Sequence, residues 1–355
     1  MEDFVQELSE RIRQAAATKQ PLVVHGGRTK DFYGETPVGT PLDMRPLTGI
    51  VDYQPTELVI TACAGTRLSD IEAAMRDRGQ MLAFEPPHFG ADATLGGAVA
   101  SGLSGPRRPY AGAARDLVLG VRMLDGKGTD LRFGGQVMKN VAGYDLSRFV
   151  VGSMGTLGVL LEVSLKALPL PPAEATLTFE CSEADSITRV NAWAGKALPI
   201  SATSWHDGVL RLRLSGSNSA VRAAQTALGG ETVNESDARQ YWSDIREQRH
   251  EFFEEDVLPL WRLSVRSSAG PLPLKGRSLH EWGGALRWMR TTAAPGTIRD
   301  IAAQAGGHAT LFRASEKSSG VFHPLAAPVA ALHKRLKSTF DPAGILNRGR
   351  LYPGL

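Results

Sequence analysis

Three glycine-rich segments hold the residue types that could bind a phosphate-bearing ligand against the main chain. The first, residues 25–30 (HGGRTK), follows a short apolar stretch, the second covers residues 90–102, and the third covers residues 139–158. Glycine has no Cβ, so N–H groups in such segments can approach a ligand closely, and Arg28 or Lys30 adds positive charge. One such segment alone is more often an ordinary tight turn. Three of them in order within the N-terminal half favour a ligand site.

Two other nucleotide-binding motifs are excluded by the sequence. No G-x-G-x-x-G opens a helical pattern, which leaves a Rossmann site unsupported. A P-loop is also excluded, because five residues separate Gly120 from Gly126 and Lys127, and Gly128 stands where that motif needs Ser or Thr. Neither a protein kinase nor a P-loop enzyme fits this chain.

Metal and cluster sites are not indicated either. Cys63 and Cys181 are too few for an iron–sulfur cluster, which needs four protein ligands. His206, His308 and His323 are scattered without the spacing of metal ligands, so we predict no metal site. If this protein handles electrons, it carries no cluster of its own to pass them on.

The bulk composition is that of an ordinary globular protein. The chain has 355 residues, 42% hydrophobic and 22% charged, with a formal net charge of +3, and its length predicts two domains. So small a charge, without a Lys/Arg block, argues against nucleic acid as a partner. No apolar run is long enough to span a bilayer, and the acidic N-terminus lacks a signal-peptide core, so we expect a cytoplasmic protein.

The segments between the glycine-rich loops indicate an α+β fold. Phe4, Leu8 and Ile12 recur every four residues, which predicts an amphipathic first helix. Residues 117–124 and 129–133 alternate on either side of an Asp-Gly-Lys-Gly turn, which predicts a hairpin.

A Pro-rich stretch at residues 168–172 marks the best domain boundary in the chain. Beyond it, strands alternate with longer helices, and a hairpin turns at residues 205–209. This order predicts an antiparallel sheet with helices on one face. A final helix over residues 329–340 leads into a C-terminal tail.

Together, the three segments resemble, in order and spacing, the FAD-binding domain of the vanillyl-alcohol oxidase / p-cresol methylhydroxylase (PCMH) family. Residues 26–29 resemble its first pyrophosphate loop, residues 93–97 its second loop, and residues 152–159 the loop that closes on the adenosine and ribityl parts of FAD. The resemblance implies non-covalent FAD, because His25 precedes the glycine pair and neither cysteine lies in a flavin loop. The implied cofactor-binding residues are Gly26, Gly27, Arg28, Thr29, Ala93, Thr94, Leu95, Gly96, Gly97, Ser101, Asn140, Gly152, Gly155, Thr156, Gly158, Val159 and Asn347.

Residues 139–146 and the tail 341–347 are typical of the D-2-hydroxy acid dehydrogenase branch of this family. Within that branch, the chain is similar to the smaller FAD-binding subunits of glycolate oxidases, in its short length and in segments 282–288, 308–313 and 322–325.

The resemblance implies a two-domain flavoprotein with a returning tail. We expect an FAD-binding PCMH-type domain of two α/β subdomains at 1–170, an antiparallel α+β cap at 171–340, and a tail at 341–355 near the flavin. The implied function is that of an FAD-binding subunit of a multi-subunit glycolate (2-hydroxy acid) oxidase, oxidising glycolate to glyoxylate. A larger homologous FAD subunit and an iron–sulfur subunit complete such enzymes and pass electrons to an acceptor, and any membrane association comes through these partners.

Oxidation of a 2-hydroxy acid at a flavin requires three protein contributions. A cation holds the carboxylate, a base takes the hydroxyl proton, and the substrate Cα is held close to flavin N5. The cap candidates are Arg313 for the carboxylate and His308 and His323 for the base. In the tail, Arg350 is the basic residue expected near the flavin pyrimidine edge, and Arg348 stands where relatives commonly have Pro.

The chain departs from full-length members of the branch in its cap. Their His-x-Gly-Asp-Gly-Asn and Glu-His-Gly segments, which supply metal ligands and a base, have no counterpart, and Glu281 is followed by Trp282 and Gly283. A second hypothesis is therefore a non-catalytic assembly or electron-relay subunit that binds FAD without contacting substrate. A self-sufficient FAD oxidase acting on another small alcohol or acid is a third, and a fold relative that has lost FAD is a fourth.

Overall fold

The computed structural model describes residues 1–135, 145–254 and 257–355. The chain forms two compact units. Unit 1 consists of Met1–Leu103, Ala113–Leu170 and Pro324–Leu355, and unit 2 consists of Ser104–Gly112 and Pro171–His323. These units differ from the expected boundaries in two segments: residues 104–112 belong to unit 2, and residues 324–340 belong to unit 1.

The described residues contain both helices and strands throughout. The strands are β1 (Leu22–His25), β2 (Thr40–Asp43), β3 (Ile50–Gln54), β4 (Val59–Cys63), β5 (Gln80–Met81), β6 (Val118–Leu124), β7 (Asp130–Gly134), β8 (Val159–Lys166), β9 (Leu168–Pro169), β10 (Ala173–Glu180), β11 (Ile200–His206), β12 (Val209–Gly216), β13 (Glu231–Val233), β14 (Leu260–Ser264), β15 (Arg277–Glu281), β16 (Leu286–Arg290) and β17 (His308–Arg313). The helices are α1 (Glu2–Thr18), α2 (Leu68–Arg76), α3 (Leu95–Ser101), α4 (Arg108–Ala111), α5 (Ala114–Leu117), α6 (Leu146–Phe149), α7 (Glu183–Ala194), α8 (Asn218–Leu228), α9 (Glu235–Glu247), α10 (Glu251–Glu254), α11 (Pro295–Gln304) and α12 (Ala327–Phe340).

Unit 1 is built around a five-stranded antiparallel sheet with the strand order β3-β4-β8-β6-β7. In addition, β1 and β2 pair in parallel, and β5 pairs with β9. The predicted first helix is confirmed as α1, which buries Leu8 and Ile12 completely in a core with Leu42, Leu161 and Ile345. The four-residue spacing places Leu8 and Ile12 on one face of the helix, and burial of that face stabilises it.

The C-terminal tail is an internal part of unit 1. The Leu22 N–H donates to the Ile345 carbonyl at 2.7 Å, and the Asn347 N–H donates to the Leu22 carbonyl at 3.0 Å, so the tail runs beside β1. The Asn347 side chain is buried between two loops. Its Oδ1 accepts from the Val24 N–H at 2.7 Å, and its Nδ2 donates to the Met154 carbonyl at 2.6 Å.

A buried ion pair fixes the end of α12 to the same tail. Lys337 Nζ lies 2.8 Å from Asp341 Oδ2 and donates to the carbonyls of Thr156 and Leu346, each at 2.7 Å. The Asp341 carboxylate in turn accepts the N–H groups of Ile345 and Leu346. Burial lowers the pKa of Lys337, and the Asp341 carboxylate opposes that effect.

Unit 2 is built on an eight-stranded antiparallel sheet with the order β13-β10-β12-β11-β15-β16-β14-β17. Its helices pack on both faces. On one face, Val221 of α8 packs with Leu177 and Leu212. On the other, Trp242 of α9 donates its Nε1–H to Thr176 Oγ1 at 2.9 Å, and successive residues such as Thr176 and Leu177 point to opposite faces of a sheet. The α+β class is confirmed, but the prediction of helices on one face was wrong.

Replacing Asn347 by Ala is expected to destabilise unit 1. The change leaves the Val24 N–H and the Met154 carbonyl without their partner and places Ala at a φ of 40°, which together cost about 2–4 kcal/mol. Urea denaturation followed by circular dichroism measures this loss. Arg348→Ala, at the exposed neighbouring position, serves as the control and should change the unfolding free energy by less than about 0.5 kcal/mol. Equal stability of the two variants would contradict the role given to Asn347.

Candidate functional site

Unit 1 contains an open cleft that is lined by three separate segments of the chain and by its tail. Its walls come from β1 and the loop that follows (residues 23–31), from residues 94–101, from the loop that enters β8 (residues 154–160), and from Asn347 and Arg350 of the tail. The three glycine-rich segments therefore meet at one place in the fold.

The first wall presents a run of main-chain donors. The N–H groups of the four residues Gly26 to Thr29 have no hydrogen-bond acceptor among the described residues. Arg28 has a left-handed φ of 58°, and a left-handed residue within such a run turns neighbouring N–H groups toward a common point. A pyrophosphate is the ligand group that such a concave set of donors binds.

Two glycines bring the first loop into direct contact with the second. A Cβ on Gly27 would lie 1.6 Å from the Asp92 carbonyl oxygen, and a Cβ on Gly26 would lie 2.3 Å from Thr94 Oγ1. A larger residue at position 27 would require a backbone shift, and one at position 26 would displace the Thr94 side chain. Thr94 also caps α3, because its Oγ1 accepts the Gly97 N–H at 3.3 Å.

The third loop is held against the first by the tail. Gly155 has a φ of 73°, and a Cβ there would lie 2.7 Å from Asn347 Nδ2. The Gly155 N–H has no acceptor among the described residues, so it adds another donor to the cleft. Asn347 itself also lines the cleft.

Cations border the cleft on one side. The Arg28 guanidinium pairs with Asp31 at 2.8 Å, in an exposed geometry that contributes little stability. Lys30 Nζ donates to the His88 carbonyl at 3.2 Å. Arg350 is buried and donates to the carbonyls of Lys30, Asp31 and Glu35 at 2.8–3.2 Å. Burial lowers the pKa of Arg350, and the nearby carboxylates of Asp31 and Glu35 oppose that effect.

Most of the residues predicted to bind the cofactor are brought together here. Those that line the cleft are Gly26, Gly27, Arg28, Thr29, Thr94, Gly96, Gly97, Ser101, Gly155, Gly158 and Asn347.

The other predicted residues lie elsewhere. Ala93, Leu95 and Val159 are buried in the core beside the cleft. Gly152 and Thr156 line a separate groove of unit 1. Asn140 lies outside the described residues.

An apolar wall of the cleft was missed by the sequence reasoning. It is formed by Val24, Met44, Ala64, Met154 and Leu160. Such residues suit a flat ring system, because apolar side chains with few polar groups line most cofactor sites. They carry no motif of their own. Their only signal is that most of them stand at strand ends beside the glycine-rich segments.

The three catalytic candidates of unit 2 do not form one constellation. His308 begins β17 and Arg313 ends it, so extended chain separates them by about 17 Å. His323 lies near His308, since its Nδ1 accepts from the Ala309 N–H at 3.5 Å. Burial lowers the pKa of Arg313 to about 10, with Arg290 contributing.

Glu281 is a structural residue of unit 2. Its carboxylate is buried and accepts the Trp288 Nε1–H at 2.8 Å. Among the residues that the structure describes, no group of three or more His, Cys, Asp or Glu side chains is arranged to hold a metal ion.

Comparison with known sequences places this cleft in a family context. Residues 4–134 match the family model described as the FAD binding domain. The chain is 50% identical over 355 residues to glycolate oxidase subunit GlcE of Escherichia coli (strain K12), covering 99% of each chain. It is 30% identical over 197 residues to glycolate oxidase subunit GlcD of Bacillus subtilis (strain 168), covering 54% of this chain and 42% of that one.

Solved structures show the same fold. p-Cresol methylhydroxylase with substrate bound has a TM-score of 0.72 at 14% identity, covering 98% of this chain and 87% of that chain. Alkyldihydroxyacetonephosphate synthase has a TM-score of 0.66 at 15% identity, covering 96% of this chain and 74% of that chain. The predicted PCMH-type architecture is thereby confirmed.

Replacing Gly97 by Leu is expected to weaken flavin binding at least about tenfold, or about 1.4 kcal/mol. A Cβ at this position would meet only Thr94 Oγ1, at 3.2 Å, and Gly97 lines the cleft, so the new side chain would occupy ligand space. Titration of the apoprotein with FAD, followed by flavin fluorescence, measures the affinity.

The matched control is Gly296→Leu, at a helical glycine of α11 in unit 2 whose Cβ would meet open space. Both variants should keep the circular dichroism spectrum of the parent chain. Unchanged FAD affinity in a folded Gly97→Leu variant would remove the cleft as the flavin site.

Proposed function

Because the chain belongs to the family of glycolate oxidase subunit GlcE, we propose that it is the FAD-binding subunit of a multi-subunit oxidase that converts glycolate to glyoxylate. Its sequence relationship to GlcE and to GlcD proteins supports a place among FAD-dependent oxidoreductase subunits that act on 2-hydroxy acids. The observation that carries the proposal is the run of four N–H groups at residues 26–29 that have no acceptor in the described ranges, in a loop that lines the cleft where all three glycine-rich segments meet.

The residues of the cleft fit FAD in their chemistry. The N–H groups of residues 26–29 and of Gly155 suit the two phosphates, and Lys30 adds positive charge beside them. The apolar wall with Met44 and Leu160 suits a flat ring system. Gly97 leaves room for the ligand above α3. Neither cysteine lines the cleft, in agreement with non-covalent binding.

When bound, FAD would supply the hydride acceptor for oxidation of the alcohol to the carbonyl, with the hydroxyl proton taken up by a base. The residues of unit 1 would bind the cofactor and orient it in the cleft. Asn347 fixes the distance between the first and third loops, and Arg350 holds the carbonyls of residues 30–35. Buried near the cleft, the Arg350 cation also raises the local positive potential, which favours a reduced, anionic ligand.

The residues nominated for substrate handling lie in unit 2. His308 and Arg313 are nominated as base and carboxylate clamp, with His323 as the alternative base. A clamp and a base must reach adjacent atoms of one small acid, whereas His308 and Arg313 stand at opposite ends of β17. This separation favours a second candidate function, an FAD-binding assembly or electron-relay subunit that does not contact substrate.

The subunit is proposed to work in a complex. The names of its relatives, subunits GlcE and GlcD, support a multi-subunit enzyme. We place with it a larger homologous FAD subunit and an iron–sulfur subunit that carries electrons to the acceptor. In the part of the chain that the structure describes, no helix is long and apolar enough to cross a membrane.

The purified chain is expected to show a flavin absorbance spectrum that bleaches on anaerobic addition of glycolate. Acetate is the control, because it has the carboxylate but no hydroxyl to oxidise, and it should leave the flavin oxidised. A spectrum that also stays oxidised with glycolate, but bleaches once the partner subunits are added, would transfer the function to the relay candidate. Failure to bind FAD at all would contradict both candidates.

A further inference from the structure

Helix α12 leaves an apolar stripe uncovered. Of its fourteen residues, only Lys337 and Phe340 are buried. Val329 and Leu332 expose 43% and 46% of their surfaces, and Leu336 is half-buried. Residues spaced three, four and seven apart lie on one face of a helix, so these three form a single stripe. Helices of a soluble chain normally bury such a stripe, and within the described residues this one has no cover.

A groove of unit 1 continues the stripe. It is lined by His333 and Leu336 of α12. Other apolar residues that line it include Phe149, which exposes 39% of its surface, Leu157 and Leu351. We call the stripe and the groove together the α12 surface. Contiguous exposed apolar area of this kind marks interaction sites rather than ordinary surface.

The α12 surface is bordered mainly by positive charge. Arg115 and Arg148 line the groove, with 70% and 46% of their side chains exposed. Lys334 and Arg335 are exposed on α12, and the helix contains no Asp or Glu. Arg348 is exposed in the tail and close enough to lower the pKa of Lys337. Against these five cations stand the carboxylates of Asp116 and Asp145, which pair with Arg115 and Arg148.

We propose that the α12 surface is where another subunit of the oxidase docks, through an apolar ridge bordered by Asp and Glu side chains. That such a partner exists rests on the proposed function. Its chemistry is inferred from the charge and the shape of the α12 surface. An acidic rim around an apolar centre complements a basic rim around an apolar groove. A second copy of this chain does not fit, because a two-fold contact would set the same cations against each other.

The floor of the groove connects this surface to the flavin cleft. Lys337 lines the groove and donates to the Thr156 carbonyl. Thr156 belongs to the loop that also supplies Met154, Gly155 and Gly158 to the cleft. The loop therefore borders both the docking surface and the flavin site, so a docked partner would contact a loop that lines the cofactor site.

The test is reconstitution with the remaining subunits of the oxidase from the same source, one of them carrying an affinity tag. Leu332→Glu places a carboxylate in the stripe and is expected to weaken retention of this chain in the complex at least about tenfold. Val51→Glu is the matched control, since Val51 of β3 is also 46% exposed but lies away from α12 in sequence and is not part of the groove. That variant should be retained as the parent chain is. Retention of the parent should also fall as salt is raised, because the rim contact is ionic.

Other outcomes would overturn the proposal. Equal retention of the two variants, or equal loss of both, would show that the α12 surface is not the contact. Association of the isolated chain with itself, abolished by Leu332→Glu in sedimentation, would assign the surface to a second copy. The flavin content of each isolated variant is measured in parallel and should equal that of the parent. A parent chain that joins no subunit of the complex would count against the proposed function itself, and the docking proposal would fall with it.

Discussion

The return of the C-terminal tail to unit 1 is the constraint on which the rest of the cofactor site depends. One buried amide, that of Asn347, joins the Val24 N–H to the Met154 carbonyl. Val24 leads into the first glycine-rich loop, and Met154 precedes Gly155 in the third. Since both loops contact the same side chain, the spacing between them depends on a residue that lies 323 positions from Val24 and 193 positions from Met154.

Buried cations act on the same loops in a consistent way. Lys337 and Arg350 each bind main-chain carbonyls rather than leaving their charge free. Arg350 holds the carbonyls of Lys30, Asp31 and Glu35, which follow the first loop. The N–H groups of residues 26–29 have no acceptor within the described part of the chain, and a loop with such free donors is suited to an anion. Arg350 of the tail therefore fixes the segment that directly follows these donors.

The glycine-rich loops were predictable, because a high density of glycine indicates that other atoms pass close to the main chain. The sequence does not say whether those atoms belong to a ligand or to a neighbouring loop. Gly26 and Gly27 were expected to face the ligand, and their missing Cβ atoms also make room for Thr94 and Asp92 of the next loop. Gly152 and Thr156 lie in the expected loop, yet they line the groove beside α12. Neighbours along a tight loop point to different sides, and no local pattern records which side holds the cofactor.

In unit 2, polar residues in the sheet made part of the fold difficult to predict from the sequence. The sequence of β15, Arg277–Glu281, is mostly polar and lacks the apolar alternation that indicates a strand, and Thr176 gave no sign that Trp242 covers its face of the sheet. The single-face prediction failed for the same reason, since a hydroxyl that accepts a buried indole N–H looks like an exposed position. Residue types do not predict the function of this unit either, because His308 and Arg313 belong to one strand but stand at its opposite ends.

The loop shared by the cleft and the α12 surface has a thermodynamic consequence. If covering the groove changes the affinity of the cleft for FAD by some factor, then FAD must change the affinity for the partner by the same factor. The Lys337 contact to Thr156 gives this coupling a physical route, because one hydrogen bond joins the helix that carries the stripe to the loop that lines the cleft. Assembly and cofactor loading are then linked through this loop, so that neither affinity can change without the other.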